Sequence, residues 1–84
     1  MSDVLVLDGA PHCNDGPPHD LADLVAETHP GRPFAIVRRD HSPFPASRWD
    51  ACVYSADRRM IEVMFGWSRK RLRRRSAAIL DGVS

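Results

Sequence analysis

Two four-residue apolar runs, Val4–Leu7 and Phe34–Val37, with one helix-patterned segment between them, most limit what this chain can fold into. A continuous apolar run too short for a helix suits a strand buried on both faces, as in a parallel pair. Asp8-Gly9 closes the first run, and residues 10–18 hold three prolines, Asn14 and Gly16, the composition of a loop. Leu21, Leu24, Val25 and Thr28 then recur at helical spacing, with Asp20, Asp23 and Glu27 on the other side. Pro18 suits the first helical position, the early acids suit the positive helix end, and Pro30-Gly31 ends the helix near Thr28. Strand, helix and strand over this distance predict two parallel strands joined by a right-handed crossover.

Residues 41–50 hold two prolines with Ser42 and Ser47, and read as a loop pinned to the body by Phe44 and Trp49. Ala51–Ser55 and Met60–Phe65 read as a hairpin joined by Ala56-Asp57-Arg58-Arg59. Gly66 breaks the second strand, Ser68 is placed as an N-cap, and the last helix is expected over about Arg69 to Asp81, with Gly82 as its stop. The expected order is β-α-β-β-β-α. The expected fold is a small single domain over residues 1–84, of α/β or α+β class, with a mixed four-stranded sheet and two helices. An acidic βαβ half over residues 1–40 precedes a hairpin and basic helix over residues 51–84. At 84 residues the core is small, with roughly 60–65% of the unfolded surface buried.

Several function classes fall away on composition. No apolar run is long enough to span a bilayer, and Met1-Ser2-Asp3 lacks the basic start of a secretory signal. Cys13 and Cys52 are too few for a disulfide framework, so the expectation is a cytoplasmic protein with reduced thiols. His12, Cys13, His19, His29, His41 and Cys52 lack the paired spacings of a zinc module. Cys52 reads as core, and Cys13 as an exposed loop thiol. Asp8 and Asp40 are both placed at strand carboxyl ends, with His12 and His41 just beyond. That arrangement is the best enzymatic reading, a Mg²⁺ site or an acid/base pair. No phosphate-cradling glycine loop accompanies it. The expectation is therefore a non-enzymatic protein with no catalytic residue, no metal and no cofactor.

The net charge of +1 conceals a division along the chain. Residues 1–31 carry six acids and neither Lys nor Arg, whereas residues 32–84 carry twelve bases against five acids. Arg69, Lys70, Arg71, Arg73, Arg74 and Arg75 are packed into the start of the last helix, with Leu72 alone between them. On a helical wheel Leu72, Ser76, Ile79 and Val83 make one stripe with Leu80 at its edge. Lys70, Arg71, Arg73 and Arg74 fan across the opposite side, with the small Ala77 and Ala78 among them. Arg69 and Arg75 flank the stripe. Like charges four residues apart oppose the helix, and a phosphate backbone would relieve them.

The leading expectation is a small regulatory protein that binds DNA or RNA through Arg69, Lys70, Arg71, Arg73 and Arg74. Arg58 and Arg59 at the hairpin tip would extend the patch, and Trp67 would stack on a base or pack. The alternative is a protein-interaction module or inhibitor of the phage or accessory type, meeting an acidic partner surface or forming a homodimer. It would use Met60, Met64 and Trp67, because Glu62 marks their strand face as the wetter one. Membrane binding is not expected, since the apolar helix face is needed for the core.

Overall fold

The computed structural model describes residues 4–11, 18–40 and 48–83. Strand β1 is Leu5–Asp8, helix α1 is His19–Thr28, β2 is Phe34–Asp40, β3 is Arg48–Tyr54, β4 is Met60–Gly66 and α2 is Arg69–Val83. The strands form one sheet in the order β1-β2-β3-β4. β1 and β2 are parallel, while β2 with β3 and β3 with β4 are antiparallel. This is the mixed sheet with two helices that the sequence predicts, in an α+β arrangement. The acidic and basic halves share it, joined through the β2–β3 pairing.

Side chains alternate across the pleat, so each strand feeds two layers. On one face Ala35, Val37, Ala51, Val53 and Met64 meet Leu72 and Leu80 of α2. On the other, Phe34, Ile36, Cys52 and Tyr54 meet Ala22 and Val25 of α1. Phe34 and Tyr54 are register partners and stack at 5.0 Å between ring centroids. β1 and β2 supply both layers, which explains their unbroken apolar runs.

Several boundaries and faces differ from expectation, each for a packing reason. β3 begins at Arg48, so Trp49 is a strand residue and not part of the loop. Charged cross-strand pairs at Arg38–Asp50 and Asp40–Arg48 extend the sheet beyond its apolar runs. The buried side of α1 centres on Ala22 and Val25, whereas Leu24 is 55% exposed and Thr28 is exposed. The small Ala22 lets α1 approach the sheet. Pro18 stands at the N-cap of α1 and not at its first helical position. α2 runs through Gly82 to Val83, because the helix is held by Leu72, Ser76 and Leu80 beneath it and needs no stop at that glycine. Gly31 has φ +76°, the left-handed conformation that closes a helix and favours glycine.

Met64 is the main correction. It is only 7% exposed, under α2, whereas Ile61, Val63 and Phe65 are exposed. α2 crosses this end of β4 and leaves Glu62 outside its reach. α1, which is five residues shorter, covers β1 to β3 and not the far strand. The register slips by one residue between Val53 and Tyr54, which leaves Ile61 without a cross-strand partner, as in a β-bulge.

Candidate nucleic-acid interface

α2 starts immediately after β4, on a cap built from Ser68. The Arg71 backbone N–H donates to Ser68 Oγ at 3.3 Å, and the Leu72 N–H donates to the Ser68 carbonyl at 3.1 Å. The first turn therefore sets the direction of every basic side chain that follows. Its backbone N–H groups already make this the positive pole of the helix, and the first turn carries no acid.

The six bases divide into two groups. Arg69 and Arg73 lie one turn apart on the side facing β1, and both engage Asp8. Arg69 Nε donates to Asp8 Oδ1 at 3.2 Å, and its Nη2 donates to Asp8 Oδ2. Arg73 Nη1 donates to Asp8 Oδ1 at 3.0 Å, and its Nη2 reaches the Val6 carbonyl at 3.2 Å. The Arg69 guanidinium, with Arg73 beside it, holds the Asp8 carboxyl below the usual carboxylate range, and the Asp8 carboxylate raises Arg69 in turn. The expected place of Arg73 on the solvent face is thus corrected: its guanidinium is folded back onto β1.

Lys70, Arg71, Arg74 and Arg75 form the second group. Lys70 and Arg74 make one row and Arg71 and Arg75 a neighbouring one, each with four-residue spacing. All four side chains are exposed. None makes an ion pair with a carboxylate among the described residues. Arg75, expected only to flank the apolar stripe, belongs to this free surface. The signal was present in the sequence as the Arg71–Arg75 spacing.

The Arg71–Arg75 row borders a cleft. Phe65, Gly66, Trp67, Ser68, Arg71, Leu72 and Arg75 line a volume of about 270 Å³ at the junction of β4 and α2. Trp67 is 70% exposed and Phe65 56% exposed. A Cβ at Gly66 would stand 3.6 Å from Leu72, an ordinary contact, so Leu72 lies directly beneath the cleft. The Arg48 guanidinium lies over the Phe65 ring, 4.8 Å from its centroid. Sequence reading had singled out Trp67 but not Phe65, which alternation assigned to the core.

The other candidate residues lie elsewhere. Arg58 and Arg59 sit at the hairpin tip, and the seven residues of β4 separate them from the start of α2, about 20 Å of strand. Arg58 has φ +68° and pairs with Asp23 of α1 at 3.3 Å. The tip therefore does not extend the helix patch. Met60 is exposed at the start of β4, and Met64 is covered by α2.

Asp8 and Asp40 do not converge. Asp8 is the register partner of Val37 and points to the α2 side. Asp40 is three residues further on, points to the opposite face and accepts from Arg48 Nε at 3.3 Å. His12, Cys13 and His41 lie outside the described residues. Among the described residues no group of three or more His, Cys, Asp or Glu is placed to hold a metal. Cys52 is buried as a free thiol, and burial pushes its pKa up.

Sequence reading missed one polar constellation. Arg38-Arg39-Asp40 and Arg48-Trp49-Asp50 are matching triplets, and antiparallel pairing sets each Arg opposite the other's Asp. Arg38 Nε lies 3.5 Å from Asp50 Oδ1, both side chains being buried. The signal was the repeated Arg-x-Asp spacing, hidden because both triplets read as loop ends.

No helix among the described residues is long and apolar enough to cross a membrane. No family model, curated protein or solved structure matches the chain.

Proposed function

We propose that this protein is a small non-enzymatic nucleic-acid-binding protein whose phosphate contacts come from Lys70, Arg71, Arg74 and Arg75. The observation that carries this reading is the exposed double row of cations over the first two turns of α2, none of them ion-paired to a carboxylate among the described residues. Such a surface is electrostatically unfavourable by itself, and a polyanion relieves it by occupying both rows at once. Phosphate contacts of this kind position a chain without reading its sequence, so the binding is regulatory in strength and weakly sequence-selective. Arg69 and Arg73 contribute at closer range once Asp8 is displaced or screened.

The test is anisotropy titration with random-sequence DNA and RNA at two salt concentrations. About four phosphate contacts give a slope of log affinity against log salt near −3 to −4. The double substitution Arg71→Glu with Arg74→Glu should abolish binding while the circular-dichroism spectrum is unchanged. Binding that survives this substitution would place the contact surface elsewhere.

A second reading, a protein-interaction module, rests on β4. It is an edge strand whose Met60, Ile61, Val63 and Phe65 are all exposed, and exposed apolar edges invite pairing with another chain. Sedimentation of the wild type against Val63→Lys tests it. A strictly monomeric wild type with no partner sensitive to Val63→Lys removes this reading.

A further inference from the structure

We infer that the cleft at the β4–α2 junction takes one unstacked nucleobase, which makes this a surface for single-stranded rather than duplex nucleic acid. The inference rests on the reading of α2 as a phosphate-binding helix and adds what that reading leaves open, the form of the strand.

Trp67 is the most exposed aromatic side chain described and lines the cleft, while Phe65 borders the cleft with its ring on the other sheet face, under Arg48. Arg71 and Arg75 form its other wall. An aromatic ring beside a guanidinium row matches a nucleotide group by group: the base stacks on the indole and the phosphates meet the arginines. The cleft volume of about 270 Å³ is just under the roughly 300–1,000 Å³ of pockets that enclose drug-sized ligands. It therefore suits a single ring system entering from one side. Leu72 and Gly66 close its floor, so the ligand is held between the walls and does not reach the core.

A duplex keeps its bases stacked and offers an aromatic cleft only phosphate and sugar. A single strand can turn a base outward. Lys70 and Arg74, in the row next to Arg71 and Arg75, continue the cationic track away from the cleft. A strand anchored by one base in the cleft would run its backbone along them. The Arg48 guanidinium over the outer Phe65 ring leaves Trp67 as the principal stacking platform.

The experiment uses the full chain, with oligouridine, oligothymidine, a duplex of equal length and inorganic polyphosphate as probes. The substitution is Trp67→Ala, which removes an exposed side chain and leaves the core intact. Single strands should quench the tryptophan fluorescence of the wild type, and the quench should vanish in Trp67→Ala. Single-strand affinity should fall by roughly 5- to 150-fold, the usual loss for one base–aromatic stack. Affinity for duplex and polyphosphate should be unchanged. A fall for both oligouridine and oligothymidine supports a base pocket that takes either nucleotide, and a fall for one alone supports the pocket and identifies which of the two nucleotides it accepts. Salt-sensitive binding to every probe with no single-strand loss in Trp67→Ala overturns the base pocket while the helix reading stands. No binding to any probe overturns both. Self-association or protein capture that depends on Trp67, without polyanion binding, assigns the cleft to a protein partner and also overturns the inference.

Discussion

Single residues here show what the buried layers tolerate. Ser76 is fully buried in the α2 interface, and its hydroxyl has no hydrogen-bond partner among the described residues. A buried, unmatched hydroxyl costs about 1–3 kcal/mol of desolvation, and Ala is the better helix former. Ser76→Ala should therefore leave stability equal or raise it by up to about 1 kcal/mol, read from urea unfolding midpoints. A loss above that range would mean the hydroxyl is partnered in solution. Tyr54 presents a similar group: its hydroxyl is buried without a partner, and burial pushes its pKa from 10 up to about 12. The folded state keeps its proton to higher pH than the unfolded chain does. Stability from this group is complete below about pH 10 and declines as pH rises through the folded value of about 12. Tyr54→Phe should flatten that alkaline decline in a thermal-melt series. Among the described glycines Gly9 is the one required by close approach, because a Cβ there would stand 2.7 Å from the Arg38 Cγ.

At the scale of elements, α2 and the β2–β3 ladder both hold charge in places that oppose stability. Bases in the first turn of a helix oppose its dipole. Lys70→Glu with Arg71→Glu should raise the melting temperature by a few degrees and at the same time abolish polyanion binding, a trade expected of a functional surface and not of a structural one. A lower melting temperature would show that these bases have partners that stabilise the fold. Asp8 is the internal counter-charge. Its lowered pKa contributes stability that is complete above the ordinary value of 3.8 and is lost as pH falls through the lower folded value. The ladder is different, because Arg38 and Asp50 are both buried. Arg38→Met leaves Asp50 charged in the interior and should cost about 3–5 kcal/mol, whereas Arg38→Met with Asp50→Leu should recover most of it. Failure of the double substitution to recover would mean that contacts of these two groups outside their own pair carry the cost.

Across the whole molecule the sheet separates charge. The exposed acids Asp20, Asp23 and Glu27 belong to α1 on one face, and the free bases belong to α2 on the other. With screening over about 8 Å at physiological salt, the sheet isolates the two helices from each other. Asp8 is the only acid of the N-terminal half with an ion pair to α2 among the described residues. Asp8→Asn should therefore strengthen polyanion binding by releasing Arg69 and Arg73, while neutralising Asp20 and Glu27 should leave it unchanged. Equal effects at both places would show that long-range field, and not local contact, controls binding.

The order of elements, the parallel pairing of the first two strands and the place of the basic helix were legible in the sequence. Each follows from short-range pattern: a continuous apolar run, a helical repeat, a break at Pro or Gly. The extra length of β2 and β3 was not legible, because charged strand ends read locally as loop and become strand only when Arg-x-Asp meets its counterpart across the sheet. The face of β4 was misread for a related reason. Alternation reports that two faces differ, but which is buried depends on how far each helix reaches, and only α2 reaches β4. The composition likewise fixed that the last helix is basic and left open which bases are free. That was decided by a contact between Asp8 and two arginines more than sixty positions away, and by a turn at Gly66 that brings Phe65, Trp67, Arg71 and Arg75 around one cleft. Periodicity is a property of neighbours along the chain, whereas pairing, coverage and clefts are made between segments that the sequence keeps apart.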